Sequence, residues 1–200
     1  ILHTVSSLFP ETGGPARSVP GLAGAQVREG TEVFLWAKDV PTKYVPPLGV
    51  TLVVGGLEDC ASLMRTVDIV HDHGLWLPLN NQIAKLSKRA NCKRVVSPRG
   101  MLEPWALNHR KWKKRLAWWL YQKRDLQSAS GLHATAHQEA EQLNRLALTA
   151  PIFVAANGVD LPAIAPVLDG LSIKPKIKTA LFLSRIHPKK GLEMLIGAWA

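Results

Sequence analysis

Two hundred residues and 21.9 kDa fit one sizeable domain, or one domain and the start of another. With 46% apolar and 20% charged residues a disordered chain is excluded, no apolar run reaches the roughly 18 residues of a membrane span, and two cysteines, Cys60 and Cys92, exclude a disulfide scaffold. The net charge of +10 is local: residues 85–124 hold 13 Lys and Arg against one acid, Glu103, while the rest of the chain holds 12 basic and 14 acidic side chains.

The chain opens in an apolar run, 1–8, that reads as a strand, with no initiator Met and no leader pattern. A short stretch is therefore expected to precede Ile1, and a reduced cytoplasm is the default compartment. A helix is expected over 16–29, with Pro20 tolerable in its first turn and Gly30 as its C-terminal stop. Strands follow at 32–38 and 50–54, a helix at 57–66, a strand at 68–73, a helix at 77–90 and a strand at 94–98. A long helix is expected over 104–127, then a strand at 131–135, a helix at 137–147 and a strand at 151–156. Strand runs that are apolar almost throughout, separated by helices, predict a parallel sheet covered on both faces: a Rossmann-like, doubly wound α/β domain over 1–160. Three prolines, a glycine and no period mark 161–176 as a linker. Beyond it, 177–200 is expected to supply a strand (178–186) and a helix from about Gly191. These are either an extra αβ unit or the beginning of a second α/β domain cut short at Ala200.

In such sheets ligands bind outside the carboxyl ends of the strands, which directs attention to a few residues. Gly13 and Gly14 precede a helix N-terminus, where bare N–H groups and the helix dipole suit a diphosphate. The alternative is a tight turn without a ligand, and Arg17, on the same first turn, faces either the cleft or solvent. His71 and His73 alternate on a strand and share a face, with Asp72 on the other. Two histidines without an evident third ligand argue against a metal site, so no metal is expected. His73, nearer the strand end, is the better candidate to touch a ligand's hydroxyl or phosphate. Arg99 follows the fifth strand and suits a phosphate or carboxylate clamp, or a salt bridge to Glu103. His73 and Arg99 are thus the candidate catalytic residues. Thr135 with Gln138 resembles a capping box, and His133 with His137 lacks a metalloprotease glutamate.

The basic zone implies an anionic partner: a membrane, a phosphorylated substrate or nucleic acid. Within 104–126, Trp112, Leu116, Trp119 and Leu120 fall on one helical stripe, expected to pack at least partly on the sheet, whereas Trp118 and Tyr121 lie off it. Excess tryptophans flanked by cations suit an interfacial helix on anionic lipid. Trp105, Lys111, Lys113, Lys114, Arg115 and Trp118, with Arg17, are the expected acceptor- or membrane-facing set. No recognised nucleic-acid module accompanies the zone, so nucleic acid is not an expected partner.

The segments 11-ETGGPARSV-19, 71-HDHGLW-76, 97-SPRGMLEPWAL-107, 157-NGVD-160 and 184-SRIHPKKG-191, in this order and spacing, together resemble glycosyltransferase family 4 of the GT-B type. The resemblance implies two Rossmann-like domains and sugar transfer, with retention, from a nucleotide-diphosphate sugar, with no metal and no further cofactor. It implies an N-terminal domain that mostly holds the acceptor, and a family pair, Arg185 and Lys190, that neutralises the donor diphosphate. The stretch from Ser97 to Leu107 is similar to enzymes that build cell-surface polysaccharide or lipopolysaccharide. A glycan or lipid-linked acceptor, an anionic membrane surface and a cytoplasmic, peripheral location on the inner face of the plasma membrane follow as expectations. Departures are Ser184, where Gly is common, and Arg99, near which many members place a His; that His role is not carried over. The family's Glu-x7-Glu pair would lie beyond Ala200, so this chain is expected to be inactive alone. The competing reading is a non-catalytic basic α/β module that binds anionic lipid or polysaccharide.

Overall fold

A computed structural model describes residues 1–108, 111–159, 179–184, 186 and 188–199. All seven strands expected in the first 160 residues form: β1 (Leu2–Ser7), β2 (Phe34–Asp39), β3 (Thr51–Val54), β4 (Ile69–His73), β5 (Lys93–Ser97), β6 (Gly131–Ala134) and β7 (Ile152–Val154). They pair in parallel in the order β3-β2-β1-β4-β5-β6-β7. The fold is a Rossmann-like parallel α/β sheet, and its strand order reverses direction between β1 and β4. Helices α1 (Pro15–Arg28), α2 (Leu57–Leu63) and α3 (Pro78–Arg89) connect the first strands. Residues such as Leu2, Leu35, Trp36, Val70 and Val96 are fully buried, as apolar strands covered on both faces require. Gly30 closes α1 as expected, at φ +82° with its N–H on Val27 O. Pro20 is a correction: because α1 starts at Pro15, Pro20 lies buried in the helix interior rather than in its first turn, and the helix forgoes one backbone bond there.

The stretch 104–127, expected as one long helix, is helical over all its described residues, with 109 and 110 outside them, and departs from a regular α-helix at one π-helical turn. It runs as α4 (Pro104–Asn108), α5 (Lys111–Ala117), a π-helical turn (Trp118–Gln122) and α6 (Lys123–Gln127), then β6, α7 (His137–Asn144) and β7. Its orientation also departs from the expectation. The stripe expected to face the sheet is exposed, with Trp112 at 80% and Trp119 at 85%. Trp118 turns inward instead, 6.3 Å from the Trp76 ring and against the buried cluster around Leu126 and Leu132. Polar anchors explain the reversal. Tyr121 Oη donates to Trp76 O (2.9 Å), Trp76 N–H donates to Gln122 Oε1 (2.9 Å) and Asn81 Nδ2 donates to Asp125 Oδ2 (2.7 Å). Buried polar groups must find partners, and these three fix which face goes in. Lys114 follows them: its ammonium sits 5.5 Å over the Trp76 ring and donates to Ala106 O.

The chain divides into two compact units, Ile1–Gly158 and Val159–Ala200. In the second, residues 179–184 form no strand, contrary to the expectation for 178–186, whose Lys178 and Arg185 lie outside the described residues. A strand needs a ladder partner, and none exists for it among the described residues. A 3-10 turn (Pro188–Lys190) and α8 (Leu192–Trp199) follow, with no residue of α8 buried. Among the described residues no helix is long and apolar enough to cross a membrane.

Candidate active site at the carboxyl edge of the sheet

β1, β4 and β5 end level, with Val5 opposite His73 and His73 opposite Ser97. Their following loops carry the backbone conformations that L-residues avoid: Gly74 and Gly100, but also Trp76 (φ 74°) and Arg99 (φ 51°). Left-handed non-glycine residues on adjacent loops are held by their surroundings, and such strain concentrates at functional sites. The holding groups are visible. Glu139, buried on α7, accepts from Gly100 N (2.6 Å), Thr135 N (2.7 Å) and Thr135 Oγ1 (2.9 Å), so one carboxylate ties the Arg99 loop to the β6–α7 loop. Thr135 therefore pairs with Glu139 rather than Gln138, and the N-cap is Ala136, which has no side-chain cap.

Arg99 makes no salt bridge among the described residues; its partners are neutral. Nη1 donates to Ser18 Oγ (2.8 Å), on α1, and to Asn157 Oδ1 (3.0 Å). Nε and Nη2 both point to His73 Nδ1 (3.3 and 3.2 Å). A guanidinium only donates, so His73 Nδ1 is the unprotonated nitrogen and the ring proton sits on Nε2. From Nε2 it donates to His3 Nδ1 (2.9 Å), and His3 Nε2 donates to Gln26 Oε1 (2.6 Å) on α1. A second pair follows the same logic. His133 Nε2 donates to Ala155 O (2.8 Å), so its Nδ1 accepts from His71 Nε2 (3.2 Å). Burial holds His3, His71 and His73 neutral: it pulls His3 down to about 4 and His71 to about 2, and His73 well below the ordinary histidine value. It also lowers Arg99, with Glu139 pulling the other way.

The third imidazole that the sequence did not offer is thus present: His3, His71 and His73 each place a nitrogen within 4.8 Å of the others. The tautomer Arg99 requires puts a proton on the His73 nitrogen that faces His3, so these two are hydrogen-bonded to each other while His71 bonds to His133. On the opposite face of β4, Asp72 accepts from Thr4 Oγ1 (3.1 Å) and Asn80 Nδ2 (3.0 Å) and pairs with Arg94 (3.4 Å). Burial pushes its carboxyl up to about 6 against the pull of Arg94, leaving it ionised at neutral pH.

A cavity of about 60 Å³ opens between the ends of β1 and β4, lined among others by Ser7, Thr12, Pro15, His73 and Asn80. Asn80 Oδ1 is buried there with no partner. Gly13, at φ +107°, starts the turn into α1, and a Cβ on Gly14 would meet nothing within 4 Å, so the space before the helix end is open. A larger cavity of about 240 Å³ lies at the other edge, beside Lys88, Lys93 and Arg94, away from these groups. Of the sequence-derived residues, His73 and Arg99 meet directly and Ser18 brings Arg99 to α1. Arg17, Lys111, Lys113, Arg115 and Trp105 are exposed, whereas Trp118 and Lys114 are turned inward and are not outward-facing as expected. Lys190 is exposed in the second unit, and Arg185 lies outside the described residues. His3, Ser18, Gln26, Glu139 and Asn157 were missed as site residues.

The glycosyl transferase 4-like domain family matches residues 13–158, which span the loops just described from Gly13 to Asn157. The chain belongs to this family. No curated protein matches the sequence. Among solved structures the chain is similar to Anabaena Alr3699/HepE, crystallised in complex with UDP and glucose, at TM-score 0.57 and 15% identity. The likeness covers 80% of this chain but 44% of that one, and at this identity it speaks for the shared fold.

Proposed function

We propose that this glycosyl transferase 4-like chain contributes the acceptor domain of a retaining, metal-independent enzyme that moves a hexose from a nucleotide-diphosphate sugar to a polysaccharide or lipid-linked acceptor. The setting proposed is cell-surface glycan synthesis at the cytoplasmic face of the membrane. The observation that carries this reading is Arg99: a part-buried guanidinium oriented entirely by neutral groups, beside the open first turn of α1 at the point where strand order reverses. Ligands bind at that point in doubly wound sheets. A cation with no carboxylate hydrogen-bonded to it, next to a helix N-terminus, stabilises the charge that grows on a departing nucleoside diphosphate. Support comes from the family match and from the similar structure, which was crystallised with UDP and glucose.

His73 positions Arg99 and presents its ring to the cavity between β1 and β4, where Asn80 Oδ1 offers an unused acceptor to a hydroxyl. Gly13 and Gly14 keep side chains out of the approach. For Lys190 and Arg185, in the second unit, a role in neutralising a donor diphosphate is proposed from the family resemblance alone.

Titrating the chain with UDP by calorimetry tests this. Charge-assisted hydrogen bonds contribute about 1.5–3 kcal/mol, so Arg99→Ala is expected to weaken UDP binding about 10- to 100-fold. UDP affinity unchanged in that variant would overturn the assignment.

A further inference from the structure

We propose that the face formed by α5 and the π-helical turn is a docking surface for an anionic lipid bilayer. Between Lys111 and Arg124 nine residues are exposed: five are cations, four are large apolar side chains, and none is acidic. The one acid nearby, Asp125, is buried against Asn81. Trp112, Leu116, Trp119 and Leu120 follow helical spacing and all project outward. The polar anchors at Tyr121, Gln122 and Asp125 hold them so, because turning the stripe inward would break three part-buried hydrogen bonds.

Contiguous apolar surface of this kind marks an interaction site. Its charge selects the occupant. Lys111, Lys113 and Arg115 flank the stripe on one side in sequence, Lys123 and Arg124 on the other. A second copy of the chain would set five cations against five. A bilayer with anionic headgroups satisfies both halves: tryptophan and leucine enter the headgroup boundary while the cations meet phosphates. Arg115 already lies over the Trp112 ring, 5.6 Å from its centre, an arrangement that keeps the cation at the depth of the indole.

The proposal stands apart from the donor assignment, since vesicle binding is measured without nucleotide. The 200-residue chain is to be co-sedimented with vesicles of phosphatidylcholine alone and with roughly one-third phosphatidylglycerol. Binding is expected only to the anionic vesicles, to fall as salt rises from about 0.1 to about 0.5 M, and to bring Trp fluorescence under quenching by brominated lipid. Lys111→Gln, Lys113→Gln and Arg115→Gln together are expected to lower partitioning about 100-fold, at about fivefold per cation. Trp112→Ser with Trp119→Ser is expected to lower it at least about tenfold and to remove most of the quenching. These positions are exposed, so the variants retain the fold, which circular dichroism confirms. Equal binding to neutral and anionic vesicles, binding untouched by both variants, or preferential binding of an oligonucleotide at the same salt would each overturn the proposal.

Discussion

Lowering the pH from 7 to 5 should cost this protein at least about 2.5 kcal/mol of folding stability, and the structure says why. His3, His71 and His73 are held neutral by burial, with folded values of about 4 for His3, about 2 for His71 and well below the ordinary value for His73. In the unfolded chain each returns to about 6.5. Between these limits the unfolded state binds more protons than the folded one, so stability is complete above about pH 6.5 and is lost as pH falls. His3 and His71 each give up about 1.9 kcal/mol over the two units, near 4 kcal/mol together, and His73 adds to the loss in the same direction. Asp72 works in the opposite sense: its folded value of about 6 exceeds the unfolded value, so the folded state takes up a proton first and offsets about 1.3 kcal/mol. Urea unfolding followed by circular dichroism at pH 7, 6 and 5 measures the difference. His71→Gln should remove about 1.9 kcal/mol of the acid-induced loss. A loss below about 1 kcal/mol between pH 7 and 5 would refute the neutral state of these buried histidines.

Two further expectations probe the elements around the site. Trp118→Ala should destabilise by about 3 kcal/mol and Trp119→Ser by less than about 0.5, because only the first empties packed space; equal effects in urea unfolding would contradict the inward and outward assignment. Glu139→Gln leaves one acceptor and an NH2 group to face three donors, so about 2 kcal/mol of stability and much of the UDP affinity should go together. Stability that falls while UDP binding holds would mean that Glu139 does not set the Arg99 loop.

The sheet was legible because short β-rich runs, of which 32–38, 50–54 and 151–156 are mostly apolar, alternate with helical stretches and are punctuated by Gly and Pro. What failed was everything decided by a specific polar partner far away in sequence. The apolar stripe at Trp112, Leu116 and Trp119 looked like a core face, and apolar area alone favours that choice. Three hydrogen bonds to Trp76 and Asn81, some 45 residues earlier, overrule it. His3 was invisible as a partner of His73 because the two lie 70 residues apart. Only the adjacency of β1 and β4 unites them. With that strand order in hand, His3 on the same face as His71 and His73 was within reach of a sequence argument. Glu139 was passed over for Gln138 because the capping-box spacing was read from Thr135, whereas the helix begins one residue later and the carboxylate also serves the Arg99 loop. The expected strand at 178–186 shows the same limit from the other side, since a run of β-forming residues is a strand only where a ladder partner exists.

The alternation His71-Asp72-His73 on one strand gives the two faces of β4 different work. Asp72 is a charge cancelled by a charge: Arg94, Thr4 and Asn80 supply its counter-ion and its hydrogen bonds. His73 meets an arginine too, but as a neutral acceptor. A carboxylate in its place would orient Arg99 equally well and would cancel the positive potential that an incoming diphosphate needs. A protonated imidazole would turn a donor toward a donor and expel Arg99 from its place against Ser18 and Asn157. The neutral ring is the one choice that fixes the guanidinium without spending its charge, and burial beside three other imidazoles is what keeps it neutral. Orientation of Arg99 and the acid sensitivity of the fold therefore share one cause, so loss of anion binding on acidification should track protonation of the buried histidines.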